Sequence, residues 1–190
     1  MSFELSSALN RIKPQKQKAV LMRRADGDLP FVDDEPLVGG PLLYDTTVYI
    51  DVLQGNAPDA LKSLIAMRIC EHSAVCLSEL THAFGRLDPG HADTKKSLAA
   101  IKGVVDDIPA HRLHAPIART WGEAGILAGL LIRLAGTSPS QGQDRKFLND
   151  ALIYLQAQAL GATVLTRNIR DFDYLSQIAP GGRVLFYRKL

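Results

Sequence analysis

From Pro41 onward, short and wholly apolar runs alternate with segments whose apolar residues recur at helical spacing. Leu42-Leu43-Tyr44, Ala74-Val75-Cys76-Leu77, Thr163-Val164-Leu165-Thr166 and Val184-Leu185-Phe186-Tyr187 read as strands with no polar face. Strands without a polar face are buried on both sides, which is the mark of a parallel sheet covered by helices. The intervening segments supply those helices. Leu61, Leu64, Ile65 and Ile69 share one face, with Asn56 or Ala57 as cap and Pro58 in the first turn. Glu79–Leu87 reads as a helix, and Asp93 caps another that carries Leu98, Ile101, Val104, Val105 and Ile108 and ends at Pro109. Ala118–Leu134 and Phe147–Leu160 complete the set, the second ended by Gly161 where a left-handed residue is wanted. Gly136–Gln143 reads as a mobile loop from its composition. The expectation is an α/β fold, with ligands bound beyond the carboxyl ends of its strands.

Residues 1–40 have a different character. Arg11, Lys13, Lys16, Lys18, Arg23 and Arg24 form a basic block, and Asp26, Asp28, Asp33, Asp34 and Glu35 form an acidic one. Pro14, Pro30, Pro36 and the Gly39-Gly40-Pro41 break predict an extended, loosely ordered arm with a short helix at Phe3–Ile12. The main domain is then 41–190. A chain that is 46% hydrophobic can bury a core, and a net charge of +2 is far from the basic excess of proteins that hold nucleic acid by overall charge. A local basic groove remains open. Cys70 and Cys76 are too few for a disulfide framework or a tetrahedral zinc site. The longest apolar stretch, Ala124 to Ile132, lies between Glu123 and Arg133 and falls far short of the roughly 20 residues of a spanning helix. With no apolar leader in the N-terminal residues, the expectation is a cytoplasmic protein with no membrane partner.

The strand ends carry the chemistry. The first run ends at Asp45, the second at Ser78-Glu79, and the third at Thr166-Arg167-Asn168, with Asp171 and Asp173 close behind. Asp150 lies near the start of the helix that feeds the third run. Acids from four segments would repel one another at one sheet edge, and a divalent cation removes that cost. Oxygen ligands without converging His or Cys suit Mg²⁺ or Mn²⁺. A water acidified by such a cation is a nucleophile toward a phosphodiester. Each acid also has a plain structural role available as a helix cap or dipole partner. Thr46, Ser78 and Thr166 suit either capping or the orientation of carboxylates and water. Arg145, Lys146, Arg167 and Arg170 flank the acids and suit RNA phosphates or a solvated surface. Trp121 begins a helix rich in small residues and is expected in the core, with a dimer interface as the alternative.

At these positions the chain resembles the PIN-domain ribonucleases, in particular the VapC-type toxins of toxin–antitoxin pairs. Leu43-Tyr44-Asp45-Thr46-Thr47-Val48-Tyr49-Ile50-Asp51 looks like the family's first motif, and Leu77-Ser78-Glu79-Leu80 like its second. Asn149-Asp150-Ala151-Leu152-Ile153 looks like the third, and the segment from Gly161 through Thr166-Arg167-Asn168 to Asp171-Phe172 like the fourth. The resemblance implies a three-layer α/β/α PIN-like sandwich with a central, mainly parallel sheet. It also implies an Mg²⁺ or Mn²⁺ site, endoribonuclease activity, a homodimer and a cognate antitoxin. Carried over residue by residue, Asp45, Glu79, Asp150 and Asn168 are the catalytic positions, and Asp45, Glu79, Asp150 and Asp171 the metal positions. Asn168 stands where members carry Asp or Asn, and Asp171 where a second acid is common. The competing function is a non-catalytic PIN-like binding scaffold. A haloacid-dehalogenase-type phosphatase would need an Asp-x-Asp that Asp45-Thr46-Thr47 lacks, and no glycine-rich phosphate loop is present.

Overall fold

The computed structural model describes residues 3–136 and 142–190. In chain order the elements are α1 (Leu5–Ile12), β1 (Leu42–Tyr44), α2 (Thr46–Leu53), α3 (Asp59–Met67), β2 (Cys70–Ser73), α4 (Ala74–Arg86) and α5 (Thr94–Asp106). They continue with β3 (Leu113–His114), α6 (Ala118–Leu134), α7 (Gln143–Leu160), β4 (Thr163–Thr166), α8 (Ile169–Ile178) and β5 (Arg183–Phe186). The strands form one sheet in the order β3-β2-β1-β4-β5, and every pairing is parallel. Leu42, Leu43, Val164, Leu165 and Leu185 are fully or almost fully buried, as expected of strands covered on both faces. Helices flank the sheet in the three-layer α/β/α arrangement the motifs imply.

The sheet order decides where a site can form. From β1 the chain proceeds outward to β2 and β3, then returns to β4 on the other side of β1. The loops after β1 and β4 therefore diverge, and a crevice opens between them at their carboxyl ends. Asp45 follows β1 and Arg167-Asn168 follows β4, with the Asp45 amide donating to the Leu165 carbonyl at 3.0 Å in continuation of the β1–β4 pairing.

Several boundaries differ from the sequence expectation. Ala74–Leu77 is helix, not strand, and β2 is the preceding Cys70-Glu71-His72-Ser73. The Ser73 hydroxyl accepts the Val75 amide at 3.1 Å and starts α4, whose residues Val75, Cys76 and Leu80 turn inward. Glu79 consequently stands in the second turn of a helix rather than at a strand end. Asp150 lies in the middle of α7, which begins before Phe147. Pro58, not Asn56 or Ala57, precedes α3, and Asp93 precedes α5 without a side-chain cap. Helices α2 and α8 and the short strand β3 had no counterpart in the sequence pattern. Gly161 does end α7 in the left-handed conformation, at φ 64°. Residues 137–141 of the loop read as mobile lie outside the described residues. Trp121 is 49% exposed on α6, contrary to the core placement expected of it.

Residues 3–40 are packed against the domain rather than loosely ordered. Ala8, Ile12, Leu21, Leu29, Phe31 and Val32 are buried. The Leu21 amide donates to the Leu134 carbonyl at 2.9 Å, and Phe31 pairs with Phe186 along the open edge of β5. Arg24 is tied to buried Asp173, and Glu35 to the buried Arg68 guanidinium. No helix among the described residues is long and apolar enough to cross a membrane.

Candidate active site

Asp45 is held from three sides. Its Oδ1 accepts the Thr46 amide at 2.8 Å, which caps α2. Its Oδ2 accepts the hydroxyls of Thr47 at 2.7 Å and Thr166 at 2.6 Å. The capping role and a site role thus coexist, one for each oxygen. Burial pushes the Asp45 carboxyl above the usual carboxylate range, the threonine hydroxyls pull it back, and the Glu79 charge adds to the upward push.

Glu79 reaches the same cleft from α4. It accepts the Thr46 hydroxyl on one oxygen and the Asn149 amide at 2.6 Å on the other. Asp150 comes from α7, 5% exposed, and accepts the Asn168 amide at 3.0 Å. Burial drives the Asp150 carboxyl well above the usual range, and the Asp45 charge drives it further. Lys146 opposes that shift, whereas Asp171 and Glu79 reinforce it. One ammonium does not offset this many acids in a buried setting.

Asn168 immediately precedes α8 and makes no side-chain cap, since its amide is turned to Asp150. Its backbone N–H instead donates to the Thr166 hydroxyl at 2.9 Å. Asp171 lies in the first turn of α8, where it accepts Lys146 and, at 3.3 Å, the Arg170 guanidinium. Burial acts to lower the Lys146 pKa, but Asp150, Asp171 and Asp45 together hold it above the ordinary lysine value.

Most of these side chains line a cleft of about 570 Å³, but Asp171, expected as a metal position, is not on its wall and pairs with Lys146. Its walls include Asp45, Thr46, Glu79, Asp150 and Asn168, with Lys146, Arg167 and Arg170 around them. Arg145 is exposed in an adjoining hollow of about 330 Å³, together with His82, Arg86 and Glu79. Two further expected residues stand apart. Ser78 is exposed on α4, and no side-chain bond ties it to the acids among the described residues. Asp173 points to Arg24 of the N-terminal segment and not into the cleft.

Sequence reasoning gave no role to Thr47, Asn149, Asp51 or Tyr187. Thr47 and Asn149 lie inside the motif segments, within two residues of an acid, and their position there was the available signal. Asp51 and Tyr187 bond each other at 2.9 Å across 136 residues, a pairing that no local pattern shows.

The cleft wall presents oxygen donors of the kind a hard cation takes, without histidine or cysteine, and the Glu79 charge pushes Asp45 upward as the Asp45 charge pushes Asp150. Among the described residues, no group of three His, Cys, Asp or Glu side chains is arranged to hold one metal ion. The acids are instead engaged by Lys146, Asn149, Asn168 and three threonines.

No protein-family model matches the chain, and no curated protein matches it in sequence. Solved structures match it in shape. A chain of VapBC2 from Rickettsia felis, bound to a DNA fragment from their promoter, gives a TM-score of 0.54 at 16% identity, covering 78% of this chain and 99% of that one. A chain of DNA-bound VapBC from Salmonella typhimurium gives 0.52 at 20% identity, covering 77% of this chain and 97% of that one. A chain of FitAcB from Neisseria gonorrhoeae gives 0.54 at 18% identity, covering 77% and 96%. At such identities the likeness shows the fold, and it runs over almost the whole of each neighbour.

Proposed function

We propose that the chain is an Mg²⁺- or Mn²⁺-dependent endoribonuclease of the PIN-domain type, acting as the toxin of a toxin–antitoxin pair. One observation carries the reading. Asp45, Glu79 and Asp150 come from three separate elements and line one cleft beside the sheet's switch point, flanked by Arg167 and Arg170. The VapBC neighbours support a cognate antitoxin as partner.

In this reading Asp45, Glu79 and Asp150 hold the cation, and Asp171 and Asn168 complete or tune the site. Uptake exchanges the amide and ammonium contacts these acids now make. The cation, when bound, supplies an acidified water and offsets phosphate charge. Thr46, Thr47 and Thr166 fix the carboxylate orientations through the bonds described above. Arg167 and Arg170, with Lys146 and Arg145 beyond them, bind RNA phosphates. Trp121, Gly125 and Gly129 form an exposed face of α6 that suits a second copy of the chain.

The test is cleavage of total bacterial RNA by the purified protein with Mn²⁺, with EDTA and Asp150→Ala as controls. The expected result is a set of discrete fragments that both controls abolish. Cleavage that persists in Asp150→Ala overturns the site assignment. A second reading, a non-catalytic PIN-like scaffold, is favoured by the engagement of every cleft acid with protein donors. Calorimetry that finds no Mn²⁺ uptake, alongside firm binding of a protein partner, would establish it.

A further inference from the structure

Asp51 is a carboxylate that the proposed reaction does not use, yet it is 1% exposed in the second turn of α2. A buried carboxylate is retained only where it is paired. Its Oδ2 accepts the Arg167 Nε–H at 2.6 Å and the Tyr187 hydroxyl at 2.9 Å. Tyr187 is itself fully buried after β5, and its amide donates to the Thr166 carbonyl at 3.2 Å. The Asp51 main chain is fastened as well. Its carbonyl accepts the Asn56 amide at 2.8 Å, and the Asn56 carbonyl accepts the Leu190 amide at 3.0 Å.

Arg167 is therefore fixed at two points. Its backbone N–H donates to the Thr47 hydroxyl at 3.2 Å, and its Nε–H is held by Asp51. Among the described residues its terminal guanidinium nitrogens have no protein partner, and the side chain is 36% exposed on the wall of the acidic cleft. Lys146 instead gives its ammonium to Asp171, and Arg170 is also held through Nε but more loosely, at 3.3 Å from Asp171, with its guanidinium over the Tyr174 ring. A guanidinium anchored through Nε keeps its planar fork for a second ligand, and the fork matches two oxygens of a phosphate. Holding it beforehand lowers the ordering cost of binding.

We propose that Asp51, braced by Tyr187, is a positioning residue that fixes Arg167 as the phosphate anchor of the cleft, the ligand being a backbone phosphate of single-stranded RNA next to the acids. The inference rests on the ribonuclease reading and adds to it a defined contact and a residue that acts through another.

The experiment measures binding of a short fluorescein-labelled oligouridylate to the full chain in EDTA, over a range of salt concentrations. Arg167→Gln is expected to weaken binding about tenfold and to reduce the slope of log affinity against log salt by about 0.7, one phosphate contact on a single strand. Arg167→Lys keeps the charge but cannot hold Asp51 and a phosphate together. It is expected to retain the slope and lose affinity. Asp51→Asn and Tyr187→Phe are each expected to weaken binding in the parent chain and to have no further effect in the Arg167→Gln background. That non-additivity separates positioning from a structural role, because a general loss of structure weakens binding in both backgrounds. Tyr187→Phe removes only a hydroxyl and keeps the test open should Asp51→Asn fold poorly. Equal affinity of Arg167→Gln and parent, or equal loss from Tyr187→Phe in both backgrounds, overturns the inference. Where the parent cleaves RNA with Mn²⁺ but Arg167→Gln binds unchanged, only this inference falls. Where the parent neither binds nor cleaves, the ribonuclease reading falls with it.

Discussion

The Lys146 ammonium donates to the Asp171 carboxylate and stands 3.8 Å from that of Asp150, one helical turn away on α7. The cleft thus contains a cation of its own. It offsets part of the charge brought together by Asp45, Glu79, Asp150 and Asp171, but Asp150 remains driven toward its neutral form. A divalent ion entering the cleft would compete with this ammonium for the same carboxylates.

Lys146→Ala is accordingly expected to tighten Mn²⁺ binding. The Lys146 side chain is 53% exposed, so its charge is partly screened and the gain is modest. About a fivefold fall in Kd, on the order of 1 kcal/mol, is the expected scale. Calorimetric titration of both proteins checks it, and an unchanged or weaker affinity would show that Lys146 does not compete with the ion.

Stability should depend on pH through Asp45 and Asp150. Both carboxyls sit above their ordinary value in the folded chain, so the folded state holds protons that the unfolded state has released. Their contribution is fully present below the unfolded value, about 3.9, and is lost as pH rises through the folded values. In EDTA, the melting temperature is expected to fall with rising pH over that interval, and less steeply in Asp150→Asn. Mn²⁺ favours the ionised acids, so its stabilisation should grow with pH. Melts with equal pH slopes in the parent and Asp150→Asn would show that Asp150 does not contribute.

The N-terminal segment supplies a prediction of another kind. Arg68 is almost fully buried in its side chain and donates to Glu35 at 2.7 Å as well as to the Leu37 and Pro36 carbonyls. Glu35→Ala removes the charge partner and leaves the guanidinium inside. About 3 kcal/mol of destabilisation is expected, as for a broken buried pair. Urea denaturation measures it, and a loss below about 1 kcal/mol, the scale of an exposed pair, would mean that the segment is not docked as described.

The contrast between this segment and β4 shows what a sequence can reveal. Thr163–Thr166 was legible because burial on both faces leaves an uninterrupted apolar run. Strand β2 was not, because it lies next to the two-residue edge strand β3 and tolerates Glu71 and His72. The apolar run after it belongs to a helix whose start depends on one hydroxyl, that of Ser73. Residues 3–40 read as a loose arm because the partners of their charges are remote in the chain. Arg24 meets Asp173 and Glu35 meets Arg68, pairings that local charge counts cannot show. Asp45, Glu79 and Asp150 were legible through their motifs and do share a cleft. Asp51 and Tyr187 were not, because their relation exists only once α2 and the end of β5 are side by side.

Asn168 offers the most direct test of how finely the acids are balanced. Its amide donates to Asp150 at 3.0 Å, the one neutral donor that this buried carboxylate receives among the described residues. Asn168→Asp replaces that donor with a further carboxylate at nearly the same shape. Without metal, the two acids would repel and Asp150 would lose a hydrogen bond, at a cost of about 1 to 3 kcal/mol. For a chain of this length each kcal/mol corresponds to about 2 to 4 °C in melting temperature. A lower melt in EDTA is therefore expected, together with a larger gain on adding Mn²⁺ than the parent shows, because the added charge is relieved only by the cation. Thermal melts of both chains, with EDTA and with Mn²⁺, supply the comparison. A variant that melts lower but gains no more from Mn²⁺ than the parent would place position 168 outside the cation's reach, and would limit its role to the bond it makes with Asp150.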